Sequence, residues 1–156
     1  MLEIKERLEE VVEFNALCGR YDNPTKEGLL AQAKVVLEEA KEVLEAVSDT
    51  PEHLVKEVAD LAVVSTGMIA LLNRMGYDVN GAWKAVNANN MQKIIENYND
   101  VCYTKAAYNA TTDNVEALQV GANKWVIKDV NGKVRKPIGF VPLTDKDMKP
   151  FVPKEE

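Results

Sequence analysis

Four carboxylates fall in two pairs whose spacing suits metal chemistry: Glu39 with Glu42, and Glu57 with Asp60. Residues three apart project from one side of a helix, so each pair forms a two-carboxylate pincer. Glu38 stands directly beside the first pair. With residues about 100° apart around a helix, the first helix has an apolar stripe through Leu29, Ala33, Val36, Leu37, Ala40, Val43, Leu44 and Val47. Glu39 lies at the edge of that stripe and Glu42 sits a little further round, between Val35 and Ala46, while Lys34, Glu38, Lys41 and Glu45 take the solvent side. Glu57 and Asp60 share a face with Leu54, Leu61, Val64, Met68 and Leu71, which is otherwise wholly apolar. Burying ionised carboxylates without a partner is costly. Lys56 has the i,i+4 spacing to pair with Asp60, but four acids converging from two packed helices exceed what one lysine balances. Clustered hard oxygen ligands suit Mg²⁺, with Mn²⁺ as the alternative. A lone ExxE is a common accident of solvated helices; two pairs, the second on an apolar face, form a more specific pattern.

The pairs must be held by helices, and the chain supplies them. Leu2 to about Leu17 carries Ile4, Leu8, Val11, Val12 and Leu17 at helical spacing. Gly19 to Pro24 breaks the pattern, with a turn expected at Asn23-Pro24. Thr25 caps a second helix running to about Val47; Thr50 and Pro51 then start a third that stops at Gly76. A fourth helix is expected over Asn80–Asn97, with Trp83, Val86, Met91, Ile94 and Ile95. Its asparagine-rich middle, Asn87 to Lys93, reads either as ligand contact or as an exposed polar face. Beyond it, Val101–Tyr108 and Lys124–Val130 are rich in β-branched and aromatic residues. Asn131-Gly132 followed by Lys133-Val134-Arg135 predicts a hairpin, with a third strand from near Val101. Pro137 to Glu156 reads as an extended tail. The fold class is therefore mainly α, a four-helix bundle (residues 1–100) with a β-hairpin and extended appendage (residues 101–156) in the same domain.

A chain of 156 residues accommodates one domain with a real core. The net charge of −6 and pI near 5.0 argue against a nucleic-acid-binding surface. Met1 to Glu10 alternates charged and isolated apolar residues, unlike a signal peptide. The longest apolar run, Leu61–Leu72, falls short of the roughly 20 residues a bilayer span needs and reads as a buried core helix. A cytoplasmic protein is expected, with Cys18 and Cys102 as reduced, half-buried thiols. His53, the single histidine, reads as a surface residue and leaves little basis for a Ser-His-Asp mechanism.

Taken together, Glu38-Glu39-x-x-Glu42, a gap of 14 residues, and Glu57-x-x-Asp60 resemble the EExxE…ExxD signature of the all-α NTP pyrophosphatases. That superfamily includes MazG-like enzymes, dimeric dUTPases, dCTP pyrophosphatases and phosphoribosyl-ATP pyrophosphatase. Asn90-Met91-x-Lys93 is similar to a downstream N-M-x-K element of MazG-like members, and Phe14-Asn15 to a Phe-His or Phe-Asn pair ending the first helix. Asn131-Gly132-Lys133-Val134-x-Lys136-Pro137 resembles the D-G-K-V-x-K-P tail of small phage and bacterial relatives. Ala85-Val86-Asn87 departs from the Glu-Val-His of close relatives, and residues 101–123 match no part of the pattern.

The resemblance implies Mg²⁺-dependent hydrolysis of a nucleoside triphosphate between its α- and β-phosphates. It implies Glu39, Glu42, Glu57 and Asp60 as metal ligands, and Glu38 and Glu39 as the catalytic pair, with Glu38 either supporting the ligands or orienting the attacking water. Lys93 would bind phosphate, Asn90 and Asn15 would contact sugar or base, and Phe14 or Trp83 would stack. Read as bare residues, Phe14 and Trp83 are core aromatics first and Lys93 a solvated helix end. The resemblance further implies a homodimer or homotetramer with the site near the subunit interface, where the β tail crosses to or covers a neighbour's site. Two alternatives stand beside it: phosphoribosyl-ATP as substrate, or a non-catalytic acidic helical module for dimerisation or for binding a basic partner.

Overall fold

A computed structural model describes residues 4–22, 24–111 and 113–153, and of residues 4–8 the backbone alone. Leu2 and the turn expected at Asn23 lie outside the described residues. Within them the protein is mainly helical, with six α-helices and one two-stranded antiparallel sheet. No helix among the described residues is long and apolar enough to cross a membrane.

The chain divides into two compact units, one formed by residues up to Val79 together with the segment from Phe151, the other by Asn80–Pro150. The boundary drawn at residue 100 from composition thus falls inside the second unit. The first unit contains α1 (Ile4–Leu17), α2 (Lys26–Ala46) and α3 (Pro51–Arg74). Thr25 starts α2 by accepting the Gly28 N–H at 3.1 Å, and Thr50 starts α3 by accepting the His53 N–H at 3.2 Å. Each satisfies a donor that has no partner inside its helix. Gly76, at φ 85°, lets the chain turn out of α3 in a conformation that L side chains resist. Helices α2 and α3 run antiparallel: Gln32 donates to the Val64 carbonyl at 2.9 Å, while Glu42 and Glu57 meet towards the connecting loop.

Among the described residues of this unit, the buried apolar side chains are Ala46 and Leu71, beside polar Asn15, Gln32 and Glu57. Leu37, Leu44 and Val47, expected in the core, are more than half exposed. The stripe on α2 is wider than its contact with α3 can cover, and Leu30, Leu37 and Leu44 form an exposed line at intervals of seven residues.

The second unit contains most of α4 (Val79–Met91), then α5 (Tyr98–Asn109), β1 (Val115–Gly121), β2 (Lys124–Asp129) and α6 (Asp145–Met148), which leads into a 3-10 turn over Lys149–Phe151. Four expectations change here. Helix α4 stops at Met91 instead of Asn97, because Ile95 leaves it to exchange both backbone hydrogen bonds with Trp125, at 2.8 and 2.9 Å. The strand expected near Val101 is helix α5. Asn97 caps it by accepting the Asn99 N–H at 3.0 Å, and Val101, Thr104 and Tyr108 line one helical face. The partner of β2 is β1, paired from Val115↔Asp129 to Gly121↔Lys124, with Asn123 at φ 53° in the turn. The Asn131-Gly132 turn does form, but its return segment makes a single bridge, Lys128↔Val134, closed by the Arg135 N–H on the Ile127 carbonyl at 2.8 Å and the Asp129 N–H on the Lys133 carbonyl at 3.0 Å. The tail is not wholly extended. Thr144 donates from its N–H and its hydroxyl to Asp147 at 2.8 and 2.6 Å and so starts α6.

The core of this unit is Ile95, Val101, Val115 and Ile127, with Tyr108 and Trp125 packed against it. Thr104, fully buried, accepts the Ile138 N–H at 3.0 Å, which fastens the segment after the turn to α5. The chain re-enters the first unit at Phe151, whose carbonyl accepts the Asp78 N–H at 2.9 Å.

Candidate metal centre

Helices α2 and α3 bring Glu39, Glu42 and Glu57 together, with one carboxylate oxygen of each within 4.8 Å of the others. Glu39 and Glu42 are half-buried, and the Glu57 side chain keeps only 3% of its surface. The carboxyl groups of Glu42 and Glu57 are close enough to share a proton, which raises the pKa of Glu42; burial and the charges of Glu39, Glu57 and Glu38 push the same way. Lys56 holds the Glu57 pKa down against its burial, with help from Glu42 and His53.

Asp60, expected as the fourth ligand, stands outside this group. Lys56 takes it: its Nζ lies 2.9 Å from Asp60 Oδ2 and 2.8 Å from Glu57 Oε1. Both acids raise the lysine's pKa, Glu57 more than Asp60. His53 is the residue that sequence reasoning missed. Its Nε2 is 3.1 Å from the same Glu57 Oε1 and its Nδ1 is 2.7 Å from Asp49 Oδ2, an arrangement that raises its pKa chiefly through Asp49. The signal was present in the spacing, since Asp49, His53 and Glu57 follow each other at i,i+4. Glu38 is exposed one turn before Glu42 on α2, and its charge adds to the rise in the Glu42 pKa.

The donors fit a hard divalent cation. Lys56 and His53 both contact Oε1 of Glu57, while Oε2 is buried and accepts no hydrogen bond. A buried carboxylate oxygen is seldom left unpartnered. Among the described residues no lysine or arginine pairs with Glu39 or Glu42. Three carboxylates therefore face one ammonium and one imidazole, and the excess negative charge points inward with an unused oxygen.

On α2 the acids continue a stripe. Gly28, Gln32, Val35, Glu39 and Glu42 recur every three or four residues, so they share one helical face. The earlier part of that face lines a cavity of about 280 Å³ with Arg20, Ala31 and Leu71. Val35 precedes Glu39 by about one turn. Arg20 donates to Gln32 Oε1 at 3.1 Å, which orients the buried amide.

The remaining expected site residues are placed as follows. Asn15 is buried and donates to the Val11 carbonyl at 2.8 Å. Phe14 on α1 and Trp83 on α4 are 55% and 62% exposed, so the core reading of both is corrected. Asn90 and Lys93 belong to the second unit, where Lys93 Nζ donates to Asn90 Oδ1 at 2.8 Å just past the end of α4. Cys18 and Cys102 are free thiols, and both are exposed instead of half-buried. No family model, curated protein or solved structure matches the chain.

Proposed function

We propose that the protein is a Mg²⁺-dependent nucleoside triphosphate pyrophosphohydrolase, built on a four-helix bundle of the all-α NTP pyrophosphatase type. The observation that carries this reading is the group Glu39, Glu42 and Glu57, gathered within 4.8 Å around a buried Glu57 oxygen that has no partner. A divalent cation bound there supplies the charge that lets a polyphosphate approach carboxylates and that offsets charge developing on phosphorus. Glu39, Glu42 and Glu57 hold that cation, with Asp60 as a fourth ligand. Glu38, exposed beside them, orients the attacking water, with Glu39 as its neighbour in the catalytic pair. The cavity along the same face of α2 suits one ring system of the nucleoside, at the small end of ligand pockets, with Gln32 and Arg20 offering polar recognition. Asn15, Asn90, Lys93, Phe14 and Trp83 keep their proposed roles in contacting base, sugar and phosphate.

The exposed Leu30, Leu37 and Leu44 support a homodimer or homotetramer, since a second copy would cover what α3 leaves open. Phosphoribosyl-ATP stays as the alternative substrate. A purely acidic docking module accounts less well for Glu57, which such a role would expose to a basic partner.

A panel of nucleoside triphosphates, assayed with and without Mg²⁺ and with product analysis, tests the reading. Monophosphate and pyrophosphate are expected. Diphosphate and phosphate as products, or no turnover of any triphosphate by folded protein, would overturn it.

A further inference from the structure

The acidic group has a feature that its resemblance to a metal site does not explain. Asp60 is aligned with Glu57 on α3 yet lies outside the three-carboxylate group, and one side chain accounts for this. Lys56 bridges Glu57 Oε1 and Asp60 Oδ2 at 2.8 and 2.9 Å, as a cation shared by two carboxylates would. The lysine is 64% exposed, on a flexible stem, and sits at the mouth of the group while Glu57 is buried beneath it.

We propose that Lys56 is a built-in exchangeable counter-ion: it occupies the Glu57–Asp60 pincer in the metal-free protein and is displaced when a divalent cation binds. The inference rests on the metal-centre reading above and deepens it by assigning a residue that sets the affinity for the metal. One ammonium carries half the charge of Mg²⁺ or Mn²⁺ and spans only two of the four carboxylates. It therefore stabilises the empty pincer without satisfying Glu57 Oε2, which remains unpartnered. Its displacement frees Asp60 to complete the ligand set, and moves a mobile positive charge to the solvent side, where a polyphosphate arrives. Metal and substrate consequently bind better together than apart, since the expelled ammonium gains a new anionic partner from the substrate.

The competing account is a general field effect, in which any nearby positive charge weakens metal binding equally. Lys41 provides the comparison: it is exposed on α2 one residue before Glu42 and makes no ion pair among the described residues. The experiment is calorimetric titration of Mn²⁺ alone into the wild-type chain, Lys56→Met, Lys56→Arg and Lys41→Met, with melting curves confirming that each is folded. Displacement predicts that Lys56→Met binds Mn²⁺ about tenfold or more tightly than wild type, while Lys56→Arg and Lys41→Met stay within about threefold of it. Equal gains from Lys56→Met and Lys41→Met overturn the proposal, as does wild-type affinity in Lys56→Met. In either of those cases Mn²⁺ still binds, and the metal centre stands. Absence of Mn²⁺ binding in every variant overturns the metal centre and this inference together.

Discussion

Glu42 on α2 and Glu57 on α3 meet carboxyl to carboxyl, an approach that raises the Glu42 pKa while Lys56 holds that of Glu57 down. Replacing Glu57 with Gln removes the charge and turns the buried Oε2 position into one that no longer repels its neighbours. Glu57→Gln is expected to melt no lower than wild type without metal, yet to lose the rise in melting temperature that millimolar Mg²⁺ gives. At a hundredfold excess over Kd that rise corresponds to about 2.7 kcal/mol in the wild-type chain. Turnover is expected to fall by more than about 100-fold, since even residues that only support metal ligands cost up to that much. A Glu57→Gln chain that retains the Mg²⁺-dependent shift counts against the centre.

The exposed leucine line on α2 gives a second expectation. Burying a leucine contributes about 1.5–3 kcal/mol, so Leu37→Glu with Leu44→Glu should weaken self-association by at least about 100-fold. Sedimentation velocity over a range of concentrations checks this. A wild-type chain that is monomeric throughout removes the oligomer from the proposal.

Within the first unit, packing at Gly67 is tight. A Cβ placed there would stand 3.2 Å from Asn15 Nδ2 and 3.5 Å from Gln32 Nε2. Both amides are held by hydrogen bonds, to the carbonyls of Val11 and Val64, and cannot retreat freely. Gly67→Ala should therefore destabilise the unit by about 1–2 kcal/mol, although a helical Gly→Ala exchange ordinarily gains about 1 kcal/mol. Urea unfolding followed by circular dichroism decides the sign.

Acid should weaken the second unit through Asp129. Burial works to raise its pKa, but the N–H groups of Lys133 and Asn131 and the Arg135 guanidinium outweigh this and hold it below its ordinary 3.8. The folded state thus binds a proton less readily than the unfolded chain. Its contribution is complete above about pH 3.8 and fades as pH falls through the lower, folded value. Trp83 and Trp125 are the only tryptophans and both lie in this unit, so their fluorescence reports on it. Asp129→Asn should lower the melting temperature at pH 6 and flatten its decline below about pH 3.8. Parallel curves for the two chains would refute the assignment.

The helices that carry the acids were legible because local signals agreed there: threonine caps at Thr25 and Thr50, Pro51 at the first helical position, and Gly76 at the end. The pairing of Glu42 with Glu57 followed from two periodic helices joined by a short loop. Elsewhere tertiary contacts prevailed over local pattern. Val101 and Thr104 read as strand residues, but a helix places both against the hairpin, and the Asn97 cap was the overlooked clue. Strand β1 shows no clean alternation, since only Val115 is buried while Leu118 and Val120 are exposed. Helical spacing puts Asp60 on a face with Glu57 without revealing which ion its side chain prefers; the i,i+4 pair with Lys56 that the sequence offers is the one that forms. His53 was passed over as solvent-facing, although its two ring nitrogens tie Asp49 to Glu57.

The bond between the Asp78 N–H and the Phe151 carbonyl means that the polypeptide departs from and returns to the three-helix unit at one spot. Joining Asp78 to Phe151 through a few glycines would give a chain half as long that keeps Glu39, Glu42, Glu57 and Lys56, and would allow other modules to be spliced in at the same junction.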